Sequence, residues 1–478
     1  MVFKDIVGGK MININNSAGQ RVFDFFEEIS AIPHTSGNTS GIADYLVSFA
    51  KTRGLEYVRD KYDNVIIRKN ATRGYEDREM IIIQGHSDMV AAVEDGREID
   101  MTKVGVKILR DGDFLTADGT TLGADNGIFV SCALAILEAD DIEHPALEML
   151  FTSNEEIGLL GAMGLDASLL KGRKMINLDS DIEGILTAGC AGGVSVDVTL
   201  PYEKLEVADN LYTVTVSGLL GGHSGSEINK GRENAIKILA QVIHGSELAM
   251  INGGDADNAI PRSATAVIKP DSLENLNERI ASALSVYSEN EKELNITVSE
   301  HLEKEWVFSK EDSERITDFI GKMPTGVHKM SEEIENLPET SSNLGIISTR
   351  EGRVSLSALI RSSKNEEKFA VCDKIKLLAD MASAQTHVHS EYPAWEYKKI
   401  SPLRDAMVAA YEKLYAASPK VIVIHEGLEC GIFSSRIEGL DCISIGPDMF
   451  DLHTTEERVS ISSTVRVFEY LIAALKEI

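Results

Sequence analysis

Short apolar runs alternate with helical segments along the first 190 residues. Apolar side chains recur at helical spacing in residues 19–30, 39–53 and 126–139, which are therefore predicted helices. Short apolar runs that end in polar or turn residues are typical of buried strands. Strands that alternate with helices predict an α/β domain with a mostly parallel sheet, covered by helices on both faces. The runs are NVIIRK (64–69), MIIIQG (80–85), ALEMLFTS (146–153) and KMINLDS (174–180).

The pattern changes at about residue 191. Beyond this point several runs alternate apolar and polar residues, as half-exposed antiparallel strands do, and residues 231–246 have the pattern of an amphipathic helix. This mixture predicts a separate α+β domain of ordinary size. The strand-like runs are LYTVTVSG (211–218), SATAVI (263–268), LNITVSE (294–300) and GRVSLSALIRS (352–362).

The first pattern returns after YPAW (392–395). A predicted helix at residues 401–415 is followed by a short apolar run, DCISIG (441–446). The simplest organisation is therefore one α/β domain split by an inserted α+β domain. The predicted bounds are 1–190 and 393–478 for the split domain and 191–392 for the insertion.

Composition excludes several classes of partner. The net charge of −29, from 47 basic and 76 acidic side chains, disfavours nucleic acid and anionic membranes. No apolar run approaches the ~20 residues that cross a bilayer, and residues 1–20 lack the apolar core of a signal peptide. We therefore expect a cytoplasmic protein. The five cysteines are scattered without CxxC spacing, so any metal would be bound by His, Asp and Glu.

Acidic and histidine side chains follow the predicted strands at the point where each strand ends. His86 and Asp88, two positions apart at the end of MIII, point to one face, so that the carboxylate can orient the ring. The carboxyl ends of parallel strands share one edge of an open sheet, where ligands bind. We therefore expect the following residues at one edge: His86 and Asp88 after MIII, Glu155 and Glu156 after EMLF, Asp179 after KMIN, His453 after CISI, and Asp125 at a helix start.

Each of these residues has an ordinary structural role open to it. Asp125 could cap its helix, and Glu155 and Glu156 could open a helix, where the helix dipole favours acids. Asp179 could be a turn residue and His453 a loop or core histidine. Together, however, uncompensated carboxylates at one edge would repel one another, and a divalent cation is the usual compensation.

The candidate ligands suit two metal ions. Two imidazoles and three carboxylates favour zinc, with manganese or cobalt as alternatives. Asp125 can bridge two ions, so that each ion also has a terminal histidine and a terminal acid. A water between the ions would be acidified towards hydroxide, and Glu155 could take its proton and pass it to a leaving amine, while Asp88 fixes the ring of His86. The predicted metal ligands are His86, Asp125, Glu156, Asp179 and His453.

Motifs along nearly the whole chain resemble a known family. Five of them match, in order and spacing, the di-zinc exopeptidases of the aminoacylase and carboxypeptidase type. Three more are similar to the aminoacyl-histidine dipeptidases, also called cytosolic nonspecific dipeptidases or carnosinase-like enzymes. This resemblance implies a zinc-exopeptidase-type catalytic domain, an inserted lid and dimerisation domain, and the metal ligands and general base named above. The motifs are GHSD (85–88), GADNG (123–127), NEEIG (154–158), NLDSD (177–181) and LH (452–453), then GCAGG (189–193), HEGLECG (425–431) and SIGP (444–447).

The inserted domain carries three further candidates by resemblance. GGHSG (221–225) matches the lid motif of the family, which implies that His223 binds the substrate carbonyl oxygen as charge develops on it. Asn258 and Arg361 resemble residues that hold the C-terminal carboxylate of the substrate, which a guanidinium can bind through two parallel hydrogen bonds. A glycine turn with an incidental histidine, and ordinary structural roles for Asn258 and Arg361, are the alternatives.

The expected function is metal-dependent hydrolysis of unblocked dipeptides by a homodimeric enzyme, with a metal-activated water and Glu155 as the general base. A tripeptidase or an N-deacylase is the nearest alternative, and GCAGG and HEGLECG favour the dipeptidase. A non-catalytic metal-binding interaction protein is a further alternative. Such a protein would be expected to lack Glu155 or Asp88, and both are present.

Overall fold

A computed structural model describes Ile12, Ile14 and residues 16–478 of the chain. Residues 1–20, on which the expectation of no signal peptide rests, lie largely outside the described residues. In the described part, no helix combines the length and the apolarity needed to cross a membrane. All five cysteines are buried and none is in a disulfide.

Helices account for the segments with helical apolar spacing. The described residues form α1 (Ser17–Ser30), α2 (Ser40–Arg53), α3 (Ala124–Glu138), α4 (Leu160–Gly164), α5 (Ala235–Ile243), α6 (Leu273–Tyr287), α7 (Lys310–Lys322), α8 (Asn365–Met381), α9 (Pro402–Tyr415), α10 (Cys430–Arg436) and α11 (Ile461–Glu477), with a 3-10 turn at Ala167–Leu169. The three helices predicted in the first 190 residues are confirmed as α1, α2 and α3. α1 begins after Asn16, whose side chain accepts hydrogen bonds from the first free backbone N–H groups of the helix.

Strands fall into three stretches of the chain. Up to residue 190 they are β1 (Glu56–Arg59), β2 (Val65–Lys69), β3 (Ile81–His86), β4 (Ile108–Asp111), β5 (Phe114–Ala117), β6 (Leu147–Thr152), β7 (Lys174–Asn177) and β8 (Ile185–Cys190). The middle stretch contains β9 (Gly192–Pro201), β10 (Lys204–Ala208), β11 (Leu211–Ser217), β12 (Gly222–His223), β13 (Glu247–Gly253), β14 (Ala259–Ile260), β15 (Ala264–Lys269), β16 (Asn295–His301), β17 (Glu305–Phe308), β18 (Gly326–Met330), β19 (Pro338–Arg350), β20 (Arg353–Ser362) and β21 (Gln385–Tyr392). The last stretch contains β22 (Lys420–Ile424), β23 (Asp441–Ser444), β24 (Met449–Phe450) and β25 (Arg458–Ser460).

The described chain divides into two compact units. The first comprises the described residues up to Gly189 together with Tyr397–Ile422 and Leu428–Ile478. The second comprises Cys190–Glu396 and the short segment Val423–Gly427. The catalytic and lid roles that the sequence suggests for its two domains stay predictions.

An eight-stranded sheet forms the centre of the first unit, in the order β1-β2-β6-β3-β7-β23-β8-β22. The neighbouring strands β6, β3, β7 and β23 are parallel, as the α/β pattern predicts. The strand from NVIIRK, β2, instead pairs antiparallel with both β1 and β6. The expected fold class is confirmed, and the four strands that carry candidate site residues at their ends are the parallel ones.

A single apolar core joins this sheet to its helices. Side chains from α1, α2, α3, α9 and α11 are buried together with those of the strands. α3 packs against both α1 and β3, which explains why it is apolar on almost every side.

The second unit is built on an antiparallel sheet in the order β16-β11-β15-β13-β19-β20-β9-β21, with β18 paired to β19. Buried and less buried residues alternate from Thr213 to the end of β11 and over the first half of β20, because one face of the sheet packs on α5, α6, α7 and α8. The expected α+β fold with half-exposed strands is confirmed.

Gly85, in β3 directly before His86, is expected to tolerate no side chain. A Cβ there would lie 2.2 Å from Asn126 Oδ1 and 2.5 Å from the Phe129 ring, both on α3. Overpacking of this kind costs about 1–3 kcal/mol, so Gly85→Ala should lower the melting temperature in calorimetry. Gly321→Ala is the matched control, because a Cβ there meets no atom within 4 Å and α7 gains about 1 kcal/mol of helix propensity. Equal melting temperatures for the two variants would contradict this close packing.

Candidate active site

The parallel strands deliver the predicted residues to one edge of the sheet. His86 is the last residue of β3. Glu155 and Glu156 follow β6 closely, Asp179 follows β7, and a longer loop after β23 carries His453. The order β6-β3-β7-β23 places these four strand ends side by side.

Asp125 lies between the two histidines. His86 Nε2 is 3.0 Å from Asp125 Oδ1 and 3.4 Å from Asp179 Oδ1. His453 Nε2 is 3.2 Å from Asp125 Oδ2 and 3.1 Å from Glu156 Oε2. Each oxygen of Asp125 therefore belongs to a different group of one histidine and two acids. Within each group the ligand atoms lie within 4.8 Å of one another, which is close enough for one cation per group.

Glu457 holds the chain around Asp125 in place. Its carboxylate accepts hydrogen bonds from the backbone N–H groups of Leu122, Gly123, Ala124 and Asp125, at 2.8, 3.0, 2.8 and 3.3 Å. Burial raises the pKa of Glu457, and these donated N–H groups oppose that effect. The N-terminus of α3 is thus covered by Glu457 and not by Asp125, whose carboxylate is left to face the histidines.

Asp88 connects His86 to Glu155. His86 Nδ1 lies 3.0 Å from the backbone oxygen of Asp88 and 3.6 Å from its carboxylate. The carboxylate accepts hydrogen bonds from the backbone N–H of Glu155 at 3.0 Å and from the Ser36 hydroxyl at 2.8 Å. The ring of His86 is therefore oriented mainly by the main chain of Asp88, and the side chain of Asp88 fixes the start of the segment that carries Glu155.

The electrostatics of this cluster favour bound positive charge. Hydrogen bonds to Asp125 and Glu156 raise the pKa of His453 to about 11, against its partial burial. Burial raises the pKa of Glu156, and it raises that of Glu155 well above the usual value, with Asp179 and Glu156 adding to the effect on Glu155. Carboxylates so close together are stabilised by a cation.

The chemistry of the donor set fits divalent metal ions. Glu156 Oε1 is buried and has no hydrogen-bond partner among the described residues, which is costly for a carboxylate unless a cation binds it. The two groups offer imidazole nitrogen and carboxylate oxygen, the ligands that zinc, manganese and cobalt accept.

Sequence reasoning missed Glu429, a fully buried acid behind the site. Its Oε2 accepts hydrogen bonds from Gln84 Nε2 at 2.5 Å and from Thr152 Oγ1 at 2.6 Å. Gln84 precedes His86 on β3 and Thr152 ends β6, so Glu429 ties together the two strands that deliver His86 and Glu155. The signal available was the motif HEGLECG, which marks the segment but assigns no role to this residue.

Residues predicted for substrate binding lie near one another in the second unit. β12 and β14 pair so that His223 stands opposite Ala259, and the N–H of Ser224 donates to the backbone oxygen of Asn258 at 2.8 Å. Arg361 Nη2 lies 3.5 Å from His223 Nε2. Arg361 is buried, and its Nε has no hydrogen-bond partner within the described chain. A buried guanidinium with an unused donor is suited to an anionic ligand.

Two motif glycines make room for Tyr392, which holds Arg361. Arg361 Nη1 donates to the Tyr392 hydroxyl at 2.9 Å. A Cβ on Gly193, from GCAGG, would lie 2.4 Å from the tyrosine ring, and one on Gly427, from HEGLECG, would lie 2.6 Å from it. Lys368, a fully buried lysine, binds the backbone oxygen of Tyr392 at 2.7 Å. Glycine is therefore required at one position of each motif, because any side chain there would collide with the Tyr392 ring.

Paired histidine and carboxylate groups at the carboxyl edge of a parallel sheet form the kind of site at which two metal ions can activate water for hydrolysis. The chain belongs to peptidase family M20/M25/M40, which matches residues 82–477. It is therefore a peptidase, as the motifs predict.

Two relatives resemble the chain over almost its full length. The cytosol non-specific dipeptidase of Escherichia coli K12 is 34% identical over 482 residues, which cover 98% of this chain and 99% of that protein. The crystal structure of the aminoacylhistidine dipeptidase from Vibrio alginolyticus superposes with a TM-score of 0.84 at 34% identity and covers 96% of each chain. The predicted resemblance to this group is confirmed. A tripeptidase from Staphylococcus aureus, with a TM-score of 0.60 and 18% identity over 98% of each chain, shares the fold.

Glu429 should make stability depend on pH. Burial raises its pKa to about 8, whereas an unfolded glutamate titrates at about 4.3. Between about pH 4.5 and 8 the folded chain keeps a proton that the unfolded chain has lost, so stability falls as pH rises, by at most about 1.4 kcal/mol per pH unit. Glu429→Gln has no titrating group at this position, so it does not lose stability in this way. With a chelator present to remove metal, the melting temperature of Glu429→Gln relative to wild type should rise from pH 5 to pH 8.

The exposed acid Glu438 supplies the control for this measurement. Glu438→Gln should differ from wild type by the same amount at both pH values. A difference for Glu429→Gln that is also flat with pH would show that Glu429 is ionised in the folded chain throughout this range.

Proposed function

We propose that this peptidase is a metal-dependent dipeptidase that hydrolyses unblocked dipeptides in the cytoplasm. One observation carries the metal part of the proposal: the two oxygens of Asp125 face separate ligand groups around His86 and His453. The dipeptide part is supported by the two full-length relatives, which are named as dipeptidases at 34% identity.

Two divalent ions, Zn²⁺ with Mn²⁺ or Co²⁺ as alternatives, would be held by the five predicted ligands. Such ions supply Lewis acidity, which lowers the pKa of water and polarises a carbonyl group. Asp125 would be shared between the ions, in keeping with its two separately directed oxygens. The ligands are His86, Asp125 and Asp179 in one group and Asp125, Glu156 and His453 in the other.

Glu155 is the proposed general base. It belongs to a third group of neighbouring ligand atoms with His86 and Glu156, but to neither of the two groups that Asp125 joins. Its carboxylate is thus free to take a proton from the attacking water and give it to the departing amine. The backbone N–H of Glu155 donates to the Asp88 carboxylate and so fixes the main chain from which the Glu155 side chain extends. This contact is additional to the role proposed for Asp88, which is to fix the ring of His86.

The second unit supplies the proposed substrate contacts. His223 binds the carbonyl oxygen of the scissile bond as negative charge develops there. Arg361 and Asn258 hold the C-terminal carboxylate, which the unused Nε donor of Arg361 supports. The family resemblance also supports a homodimer joined through the lid domain. Size-exclusion chromatography with light scattering would test this by measuring the molar mass in solution.

Hydrolysis of a peptide panel tests this function. The panel contains free dipeptides, β-alanyl-histidine, a tripeptide and an N-acetylated dipeptide, and the enzyme is used metal-stripped and after addition of Zn²⁺ or Mn²⁺. The unblocked dipeptides, which include β-alanyl-histidine, should be cleaved, and only when metal is present. The tripeptide and the acetylated dipeptide should not be cleaved. Glu155→Gln should lower kcat by about 10²–10⁴-fold while calorimetric titration still shows metal binding. Glu438→Gln, at an exposed acid, should match wild type.

Two results would contradict the proposal in different ways. A wild type that binds metal yet cleaves no peptide of the panel would remove the catalytic function. Preferred cleavage of the tripeptide or the acetylated peptide would keep the chemistry and overturn the choice of dipeptides.

Metal affinity should depend on Glu457. Glu457→Ala removes the acceptor of four backbone N–H groups and so loosens the segment that presents Asp125. Loss of such supporting partners costs about 10–100-fold in metal affinity, measured by calorimetric titration of the stripped protein. Glu456→Ala, at the exposed neighbouring residue, should bind as wild type does. Equal affinities for both variants would show that Asp125 needs no support from Glu457.

A further inference from the structure

His223 and Glu426 form a hydrogen-bonded pair within the second unit. His223 Nδ1 lies 2.9 Å from Glu426 Oε1. The two side chains are 39% and 40% exposed, so a ligand can reach the pair while the hydrogen bond is made. Glu426 belongs to HEGLECG, and nothing in the sequence assigned it a role.

The pair depends on the last glycine of GGHSG. A Cβ on Gly225 would lie 2.6 Å from Glu426 Cγ and 3.0 Å from His223 Cε1. Contacts this short would displace one or both side chains. The motif that carries His223 therefore also leaves the space in which Glu426 meets the ring.

Charges around the ring determine where its proton lies. The hydrogen bond from His223, together with the charge of Arg361, holds the pKa of Glu426 below its usual value against the effect of burial. An ionised carboxylate only accepts hydrogen bonds, so the proton of this pair is on Nδ1. Arg361 Nη2, which only donates, lies 3.5 Å from Nε2. Nε2 therefore presents its lone pair to the guanidinium.

We infer that Glu426 is a positioning residue for His223, because its carboxylate keeps a proton on Nδ1 and leaves Nε2 as the nitrogen that meets the substrate. This inference rests on the proposed role of His223 at the substrate carbonyl oxygen. To donate to that oxygen, Nε2 must take a second proton, and the negative charge of Glu426 stabilises the resulting imidazolium. A substrate carboxylate bound to Arg361 offsets the positive charge that faces Nε2.

Steady-state kinetics of two variants test the catalytic consequence. Glu426→Ala should lower kcat by about 10–100-fold, the usual effect of losing a partner that orients a functional side chain. Glu426→Gln should lie between this variant and wild type, because it keeps an acceptor oxygen but loses the charge. KM should stay within about twofold, since Glu426 is not expected to touch the substrate.

Glu227→Gln is the matched control, in the same loop as His223. The Glu227 carboxylate binds Lys230 and Arg232 and makes no contact with the ring among the described residues. This variant should keep the kcat and KM of wild type.

Nitrogen NMR of enzyme with ¹⁵N-labelled histidine gives a readout that does not depend on turnover. The signals of His223 are identified by their loss in His223→Asn. In wild type the neutral ring should carry its proton on Nδ1. In Glu426→Ala the share of this tautomer should fall, because the acceptor at Nδ1 is gone and only Arg361, which faces Nε2, still favours it.

A double variant separates positioning from a general structural effect. On a His223→Ala background, Glu426→Ala should cause no further fall in kcat, since residues that act through one group are not additive. A further fall there, an unchanged share of the Nδ1 tautomer in Glu426→Ala, or a kcat in Glu426→Ala within about twofold of wild type would each overturn the inference. A wild type inactive on every dipeptide, with the Nδ1 tautomer present, would instead overturn the proposed function alone.

Discussion

Repulsion among carboxylates at the end of a parallel sheet is the constraint on which the first unit depends. Asp125, Glu156 and Asp179 converge on two imidazoles, at a place where burial already disfavours charge. Such a cluster is stable only with cations between its members, whether protons on the histidines or metal ions. Neighbouring contacts hold the segments that carry these side chains, as Glu457 does for Asp125 and the main chain of Asp88 does for His86.

The supporting contacts share one chemical device, a buried acid that accepts backbone or amide N–H groups. Glu457 does this for the segment of Asp125, Asp88 for that of Glu155, and Glu429 for the strand of His86 through Gln84. Hydrogen bonds from fixed N–H groups hold a position without adding a second positive charge to compete with a bound cation. The second unit has a related contact at a partly exposed side chain, where Glu426 Oε1 lies 2.9 Å from His223 Nδ1.

Strands, helices and ligand types were predictable from the sequence because they leave local signals. MIII, EMLF, KMIN and CISI are apolar runs, and the candidate acids and histidines lie in the segments that follow them. The supporting residues leave no such signal. Glu457 lies 333 positions from Ala124 and Glu429 lies 345 positions from Gln84, so no periodicity connects them. The antiparallel pairing of β2 was missed for a related reason, since an apolar run does not encode the direction of its neighbour.

Chain order has a consequence for synthesis, because the two units differ in how their segments are distributed. The second unit is almost continuous, whereas the first is completed only by residues beyond 396. When residue 396 leaves the ribosome, the nascent chain contains His86, Asp125, Glu156 and Asp179 but neither His453 nor Glu457. The nascent first unit then exposes the edge of β7 until β23 arrives to pair with it. Until the last stretch of the chain is made, three of the acids are therefore present without His453 and the edge of β7 is unpaired. All core residues of the inserted unit have been made by then, so this unit can fold first.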